Sequence, residues 1–297
     1  AGLHALVRSG RAPLLAEAFP PHDPSPDELW RAIQSALQTE PDYIADYLRL
    51  PVLNNELGRA TAVLGACLLV SRPTAGLPFS LFELGASAGL NLLFDQYFFA
   101  LEDPGWGADG SPVKIPTSWE DGPELREVVV ADRRGCDISP INIHNAADRE
   151  RLLAYAKPDD IEGIERRKAA MNSARHVNLT VDRADAVDWI EHEMAAPPAT
   201  DRVRLVFNTV FWHYLDARAK GRIIDIMGAA GSRATTRSPL AWFRMEVTGQ
   251  HETLPCRLQL TIWPPGRTTV CGRADLQGTQ FKWSTGGYIT SPSCCMC

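Results

Sequence analysis

The sequence predicts an α/β fold: a mostly parallel sheet with helices on both faces, one antiparallel edge strand and a helical cap at the N-terminus. From residue 79 onward, short apolar runs alternate with helix-like segments, the pattern of parallel strands joined by crossover helices. The last two runs, RLQLTIWPP and TQFKWS, follow one another without a helix between them, so the sheet is expected to finish antiparallel. Residues 1–78 carry helical periodicity instead, which predicts the cap. The expected division is a cap over 1–78 and a sheet domain over 79–285 with an insertion at about 97–130. A disordered tail is expected over 286–297.

Taken in order, PSPDELWRAIQSAL begins with Ser25 as N-cap and Glu28 three residues later, a capping box. Leu29, Ile33 and Leu37 then fall on one helical face. A second helix is expected over NNELGRATAVLGACLLVSR, begun by Asn54 or Asn55 and stopped before Pro73. PFSLFELG reads as a short buried strand and SAGLNLLFDQY as a helix. EDPGWGADGSPVKIPTSWEDGPE is too long for an ordinary connection and reads as an insertion, a hairpin carrying Trp106 and Trp119. REVVVADRRGCDISP returns to strand, DIEGIERRKAAMNSARH to helix and VNLTVDRADAVDWI to strand. RLVFNTVFWHYL is a strand with its following turn, ARAKGRIIDIMGAAG a helix and LAWFRMEV a strand.

Composition limits the function classes. With 297 residues, 45% hydrophobic and 22% charged, the chain can bury an ordinary globular core. A net charge of -6 gives no overall attraction to nucleic acid or to an anionic membrane surface. RRGC and IERRKAA read as solvated helix faces. The apolar run AVLGACLLV falls short of the roughly 20 residues that span a bilayer. No signal peptide is visible, and the absence of an initiator methionine leaves the true start open. A cytoplasmic protein that meets neither nucleic acid nor membrane is expected. Seven scattered cysteines do not form a disulfide framework, and Cys294, Cys295 and Cys297 lack a second cluster with zinc-like spacing, so no metal site is expected.

Chemistry is sought where open parallel sheets hold ligands, beyond the carboxyl ends of the strands. The stretch Glu83-Leu84-Gly85-Ala86-Ser87-Ala88-Gly89 places an acid at a strand end and two glycines in the turn after it. Such a turn either packs tightly or lets backbone approach a nucleotide. Asp137, in GCDISP, could accept hydrogen bonds from ribose hydroxyls or make a local turn. Asp185, in RADA, could accept from an adenine amino group or cap the helix that follows. Asn208, His213, Tyr214 and Asp216 lie after RLVF, and Arg244 and Glu246 at the end of LAWF. Glu246 could be buried and paired or could face the site.

In this order, with helices between them, these pieces resemble the class I methyltransferases that use S-adenosylmethionine. The resemblance covers about residues 79–285 and implies a Rossmann-like sheet. It also implies that Glu83, Gly85, Ser87, Gly89, Asp137, Asp185 and Asn208 hold S-adenosylmethionine. A closer resemblance, over nearly the whole chain, is to the bacterial family called domain of unknown function 2332. It rests on PVLNNELGRA, FELGASAGLNL, RRGCDISPIN, DRADAVDWI, the NTVFWHYL strand end, PLAWFRME and LTIWPPG. The chain departs from that pattern at Asn208 and at Gln277, where histidines are common. Ser87 replaces the middle glycine of the usual methyltransferase turn, and serine does not visit positive φ freely.

The expected reaction is a direct displacement in which the protein orients an acceptor and excludes water. His213 is the expected base, because its ordinary pKa of about 6.5 suits proton transfer near neutrality, with Tyr214 or Glu246 assisting. Trp106, Trp119, Trp212 and the segment around Asn55, Glu56 and Arg59 are expected to line a pocket for a small-molecule acceptor. Arg59 could equally pair with an acid of the core. A nicotinamide-dependent oxidoreductase fits the turn almost as well, but Asp137 lies 54 positions after Glu83, where a dinucleotide fold wants about 20. A cofactor-binding fold without catalysis is the other alternative.

Overall fold

The computed structural model describes residues 1–53, 55–101, 104–249 and 253–284. Asn54 and the expected tail, with its three cysteines, lie outside the described residues. The chain forms two compact units, one of Ala1–Asn55 with Ile141–His176 and one of Glu56–Pro140 with Val177–Cys297. Residues 56–78, grouped by sequence with the cap, therefore cluster with the sheet, while 141–176 join the N-terminal helices.

In the first unit, Ser25 caps the helix Pro26–Thr39 and the reciprocal Glu28 bond completes the capping box. Leu29 and Ile33 pack against Leu6, Leu15, Ala32 and Ala36, whereas Leu37 is 42% exposed, at the end of the buried stripe. The helices Ala146–Ala154 and Ile161–Ala174 belong to this unit; the sequence reading anticipated only the second. His4 Nδ1 lies 3.2 Å from the Ala156 carbonyl, and Tyr155 and Arg151 both donate to the Pro51 carbonyl, so the two chain segments are tied by hydrogen bonds.

The second unit is built on a nine-stranded sheet. Its strands in chain order are β1 (Phe79–Leu84), β2 (Ser118–Glu120), β3 (Val130–Asp137), β4 (Thr180–Arg183) and β5 (Val203–Thr209). They continue with β6 (Leu240–Val247), β7 (Cys256–Trp263), β8 (Arg267–Ala274) and β9 (Gln280–Trp283). Across the sheet the order is β2-β9-β8-β7-β6-β5-β1-β3-β4. The run from β6 to β4 is parallel throughout. The other side is antiparallel through β7, β8 and β9, and β2 adds in parallel at the edge. The expected single antiparallel edge strand is thus three, because RTTVCGRA, left unassigned between the last two expected strands, is itself β8.

Helices α1 (Ala60–Ser71), α2 (Ala186–Ala195) and α3 (Ala217–Gly231) cover this sheet. On one face Phe82, Leu84, Val206 and Trp242 form a core with Trp189 and Ile190 of α2 and Ile223 and Met227 of α3. Strand side chains alternate, so Glu83 turns to the other face, where the buried Asn91 amide acts on its carboxyl. Helix α1, buried on nearly every side, packs there; its start is Ala60, after a 3-10 turn at Leu57–Arg59, and not Asn54 or Asn55.

Two local expectations change. The run Leu90–Gln96 is a 3-10 segment kinked at Leu93, not an α-helix. Its carbonyls are claimed by side chains instead: Leu90 O accepts the Tyr97 hydroxyl and Leu92 O accepts Arg133. In the insertion, Phe98–Ala100 pairs antiparallel with Trp106–Gly107 and parallel with Lys114–Pro116. Trp106 is therefore on a hairpin, but Trp119 is on β2, its ring tilted against that of Trp283 with centroids 5.0 Å apart. Among the described residues no helix is long and apolar enough to cross a membrane.

Candidate functional site

In chain order the five parallel strands lie third, second, first, fourth, fifth, so the order reverses between β1 and β5. Ligands of open parallel sheets sit outside the carboxyl ends at such a reversal. Two turns meet there, one after each strand.

The turn after β1 folds onto the end of β3. The N–H groups of Gly85 and Ala86 both donate to the Cys136 carbonyl, and the Ser87 N–H donates to Asp137 Oδ2 at 2.9 Å. Asp137 Oδ1 accepts from the Ser139 N–H at 2.8 Å, so the acid is a local turn former and a clamp on Ser87 at once. Gly85 and Gly89 have φ of +73° and +70°. A Cβ at Gly85 would stand 2.3 Å from the Phe211 ring, and one at Gly89 within 3.1 Å of Val181 and Leu179. The two glycines thus give room to protein side chains. Ser87 shares their conformation at φ 53°, a cost for a residue with a Cβ. Its Oγ is buried without a partner among the described residues, as are Glu83 Oε2 and Asn91 Oδ1. Burial pushes the Glu83 carboxyl well above the ordinary range; the Asn91 hydrogen bond opposes this, Asp137 adds to it and Arg59 opposes it.

The turn after β5 is held from β6. Glu246 Oε1 accepts from Asn208 Nδ2 at 2.7 Å and from the Phe211 N–H at 3.0 Å, while Asn208 Oδ1 accepts from Trp242 Nε1 at 3.2 Å. Between them Val210 has φ 52°, an outlier for a β-branched residue, and its N–H donates to the Met245 carbonyl at 2.7 Å. Burial pushes the Glu246 carboxyl up to about 7, against the opposing pull of the Phe211 and Trp212 N–H groups, Asn208 and Arg244. The turn ends in Trp212–Tyr214, where Trp212 packs on Trp242 and Arg244 lies over both rings. His213 and Tyr214 are exposed, with ring centroids 3.9 Å apart. Desolvation, then the charges of Arg59 and Lys220, lower the His213 pKa below its ordinary value, which favours the neutral imidazole.

Arg59 joins the two turns electrostatically. It is 2% exposed, donates from Nε to the Leu276 carbonyl at 2.8 Å, and its charge acts on Glu56, Glu246, Tyr214 and Glu83. Asp185 caps α2, accepting from the N–H groups of Val187 and Asp188 on Oδ1. Trp106 is not brought to this group. It packs on Phe94 and Phe99 and donates to the Arg126 carbonyl, and it lines a separate groove with Phe98 and Leu125.

A family model described as an uncharacterized protein conserved in bacteria, DUF2332, matches residues 1–283. The chain belongs to this family. No curated protein matches it. In the DUF2332 chain, two contributors escaped the sequence reading, Trp242 and Asn91, while Phe211 was legible only as part of the aromatic segment after RLVF. Asn91 had a visible signal, a lone amide in the apolar run LNLLF. Nothing in the sequence marks Phe211 as the ring that meets Gly85, because that contact depends on β1 and β5 being neighbours.

Proposed function

We propose that this DUF2332 chain is a methyltransferase that uses S-adenosylmethionine and acts on a small-molecule acceptor. The observation that carries the reading is the strand order, a Rossmann-like arrangement whose reversal point gathers the Gly85–Gly89 turn, Asp137 and the Asn208–Tyr214 turn. The residues fit the cofactor. Each Asp137 oxygen accepts one N–H and retains acceptor capacity for a ribose hydroxyl. Both N–H bonds to Asp185 fall on Oδ1, which leaves Oδ2 for an amino group. Glu83 Oε2, Ser87 Oγ and Asn91 Oδ1 supply buried polar atoms beside the turn. Asn208 supports the site rather than holding ligand, since its amide is used by Glu246 and Trp242.

When bound, the cofactor supplies an electrophilic methyl group on a sulfonium. The chain supplies orientation and proton handling. Neutral His213 accepts the proton of an acceptor that arrives protonated, with the Tyr214 hydroxyl beside it. Trp212 and Phe211 give the wall that excludes water. The test is transfer of labelled methyl from S-adenosylmethionine to a panel of small amines, phenols and carboxylates. Transfer that falls about 10²–10⁴-fold in His213→Ala supports the base assignment, and equal rates in both proteins contradict it. One observation favours binding without catalysis as a second reading: Asn208, where the family resemblance leads one to expect a histidine, is spent on Glu246 and Trp242. Saturable cofactor binding with no transfer to any acceptor would select that reading.

A further inference from the structure

We infer that Glu246 is a positioning residue, which fixes the Val210–Tyr214 turn and with it His213, and is not itself the group that takes a proton; the inference rests on the reading of His213 as base. Two hydrogen bonds converge on its Oε1, from Asn208 Nδ2 and the Phe211 N–H. Glu246 is 9% exposed, whereas His213 stands at the surface. Val210, one residue before Phe211, is in a backbone conformation that a β-branched residue adopts only when its surroundings over-determine it. Those surroundings are two adjacent residues of β6: the Met245 carbonyl takes the Val210 N–H and Glu246 takes the next. Asn208 is in turn fixed by Trp242, so the carboxylate is locked from both strands. Without the bond to Phe211, Val210 would relax toward negative φ and carry Trp212, His213 and Tyr214 with it.

The test is hydrogen exchange at the Phe211 amide, together with NMR titration of the His213 imidazole, in the whole chain and its Glu246→Gln and Glu246→Ala variants. Gln keeps an acceptor at Oε1, so exchange within about threefold of the parent and an unchanged His213 titration are expected. In Glu246→Ala, exchange is expected to accelerate about tenfold, the scale of one net hydrogen bond. His213 is then expected to titrate nearer its ordinary value. Unchanged exchange at Phe211 in the Ala variant overturns the inference. So does an equal acceleration at Phe82 and Val206, which would signal general loosening of the sheet. If Glu246→Ala does not fold, Glu246→Asp withdraws the carboxylate by one methylene and is read the same way. Titration of the same samples with S-adenosylmethionine separates the two claims. Failure of the parent to bind overturns the functional reading and leaves the exchange result standing, whereas binding with an unmoved Phe211 amide overturns only this inference.

Discussion

Gly85 is the residue on which the two turns depend. Its φ of +73° disfavours any side chain, and the Phe211 ring occupies the place of a Cβ. Gly85→Ala is therefore expected to cost about 2 kcal/mol or more, read by urea unfolding, through backbone strain and displacement of Phe211. A change below about 0.5 kcal/mol would mean that the ring swings away freely. Glu246 gives a pH dependence. Its folded pKa, about 7, lies above the ordinary glutamate value of 4.5, so between the two the folded state holds a proton that the unfolded chain has released. The stabilising contribution is full below about 4.5 and is lost as pH rises through about 7. Relative to Glu246→Gln, the parent should lose up to roughly 3 kcal/mol between pH 4.5 and 8, and parallel stability curves would contradict the buried acid. At this scale the sequence was partly legible. The acid, the glycines and the conformational question at Ser87 could all be read from ELGASAG. Whether Glu246 is paired or open could not, because its partners come from Asn208 and Phe211, over thirty positions away.

At the scale of elements, apolar runs located β1, β3, β4, β5, β6, β7 and β9, with the run for β4 carried on into what is α2, and the capping box located the helix after Ser25. The 3-10 run Leu90–Gln96 was illegible because its apolar spacing suits a helix, while the side chains of Tyr97 and Arg133 take the carbonyls that a helix would use. Strand β8 was missed because its run RTTVCGRA is only partly buried and too polar to stand out. The 3-10 run is fastened to β3 by a two-point pair, Arg133 to Asp95, with side chains 8% and 14% exposed. Asp95→Ala leaves the Arg133 guanidinium without its carboxylate and should cost about 3 kcal/mol. Equilibrium denaturation followed by Trp fluorescence measures this, and a loss under 1 kcal/mol would place the pair among weak surface bridges.

Across the whole molecule, strand–helix alternation made the parallel sheet legible but not the order of its strands, since connection length does not choose a strand's neighbour. The division into units was hidden for a similar reason: residues 141–176, between β3 and β4 in the chain, fold with the N-terminal helices. Cysteine usage gives a test of the fold as a whole. Cys67, Cys136, Cys256 and Cys271 are buried, and burial pushes their thiols up, to about 12, 11 and 12 for the last three. At pH 7.5 a thiol reagent should leave these four unmodified by peptide mass mapping until denaturant is added, and rapid labelling of Cys136 would contradict the packing beneath Asp137.

The central claim is that the reversal point between β1 and β5 holds an S-adenosyl cofactor, and calorimetric titration tests it most directly. S-adenosylmethionine, S-adenosylhomocysteine, NAD and NADP are titrated into the chain and into Asp137→Ala, after any carried-over cofactor has been removed. Saturable binding of the S-adenosyl pair, weakened about tenfold or more in Asp137→Ala by loss of a charge-assisted hydrogen bond and of the Ser87 clamp, is the expected result. Binding of a nicotinamide nucleotide alone, or of none of the four, would contradict the account and leave the Gly85–Gly89 turn as packing for Phe211.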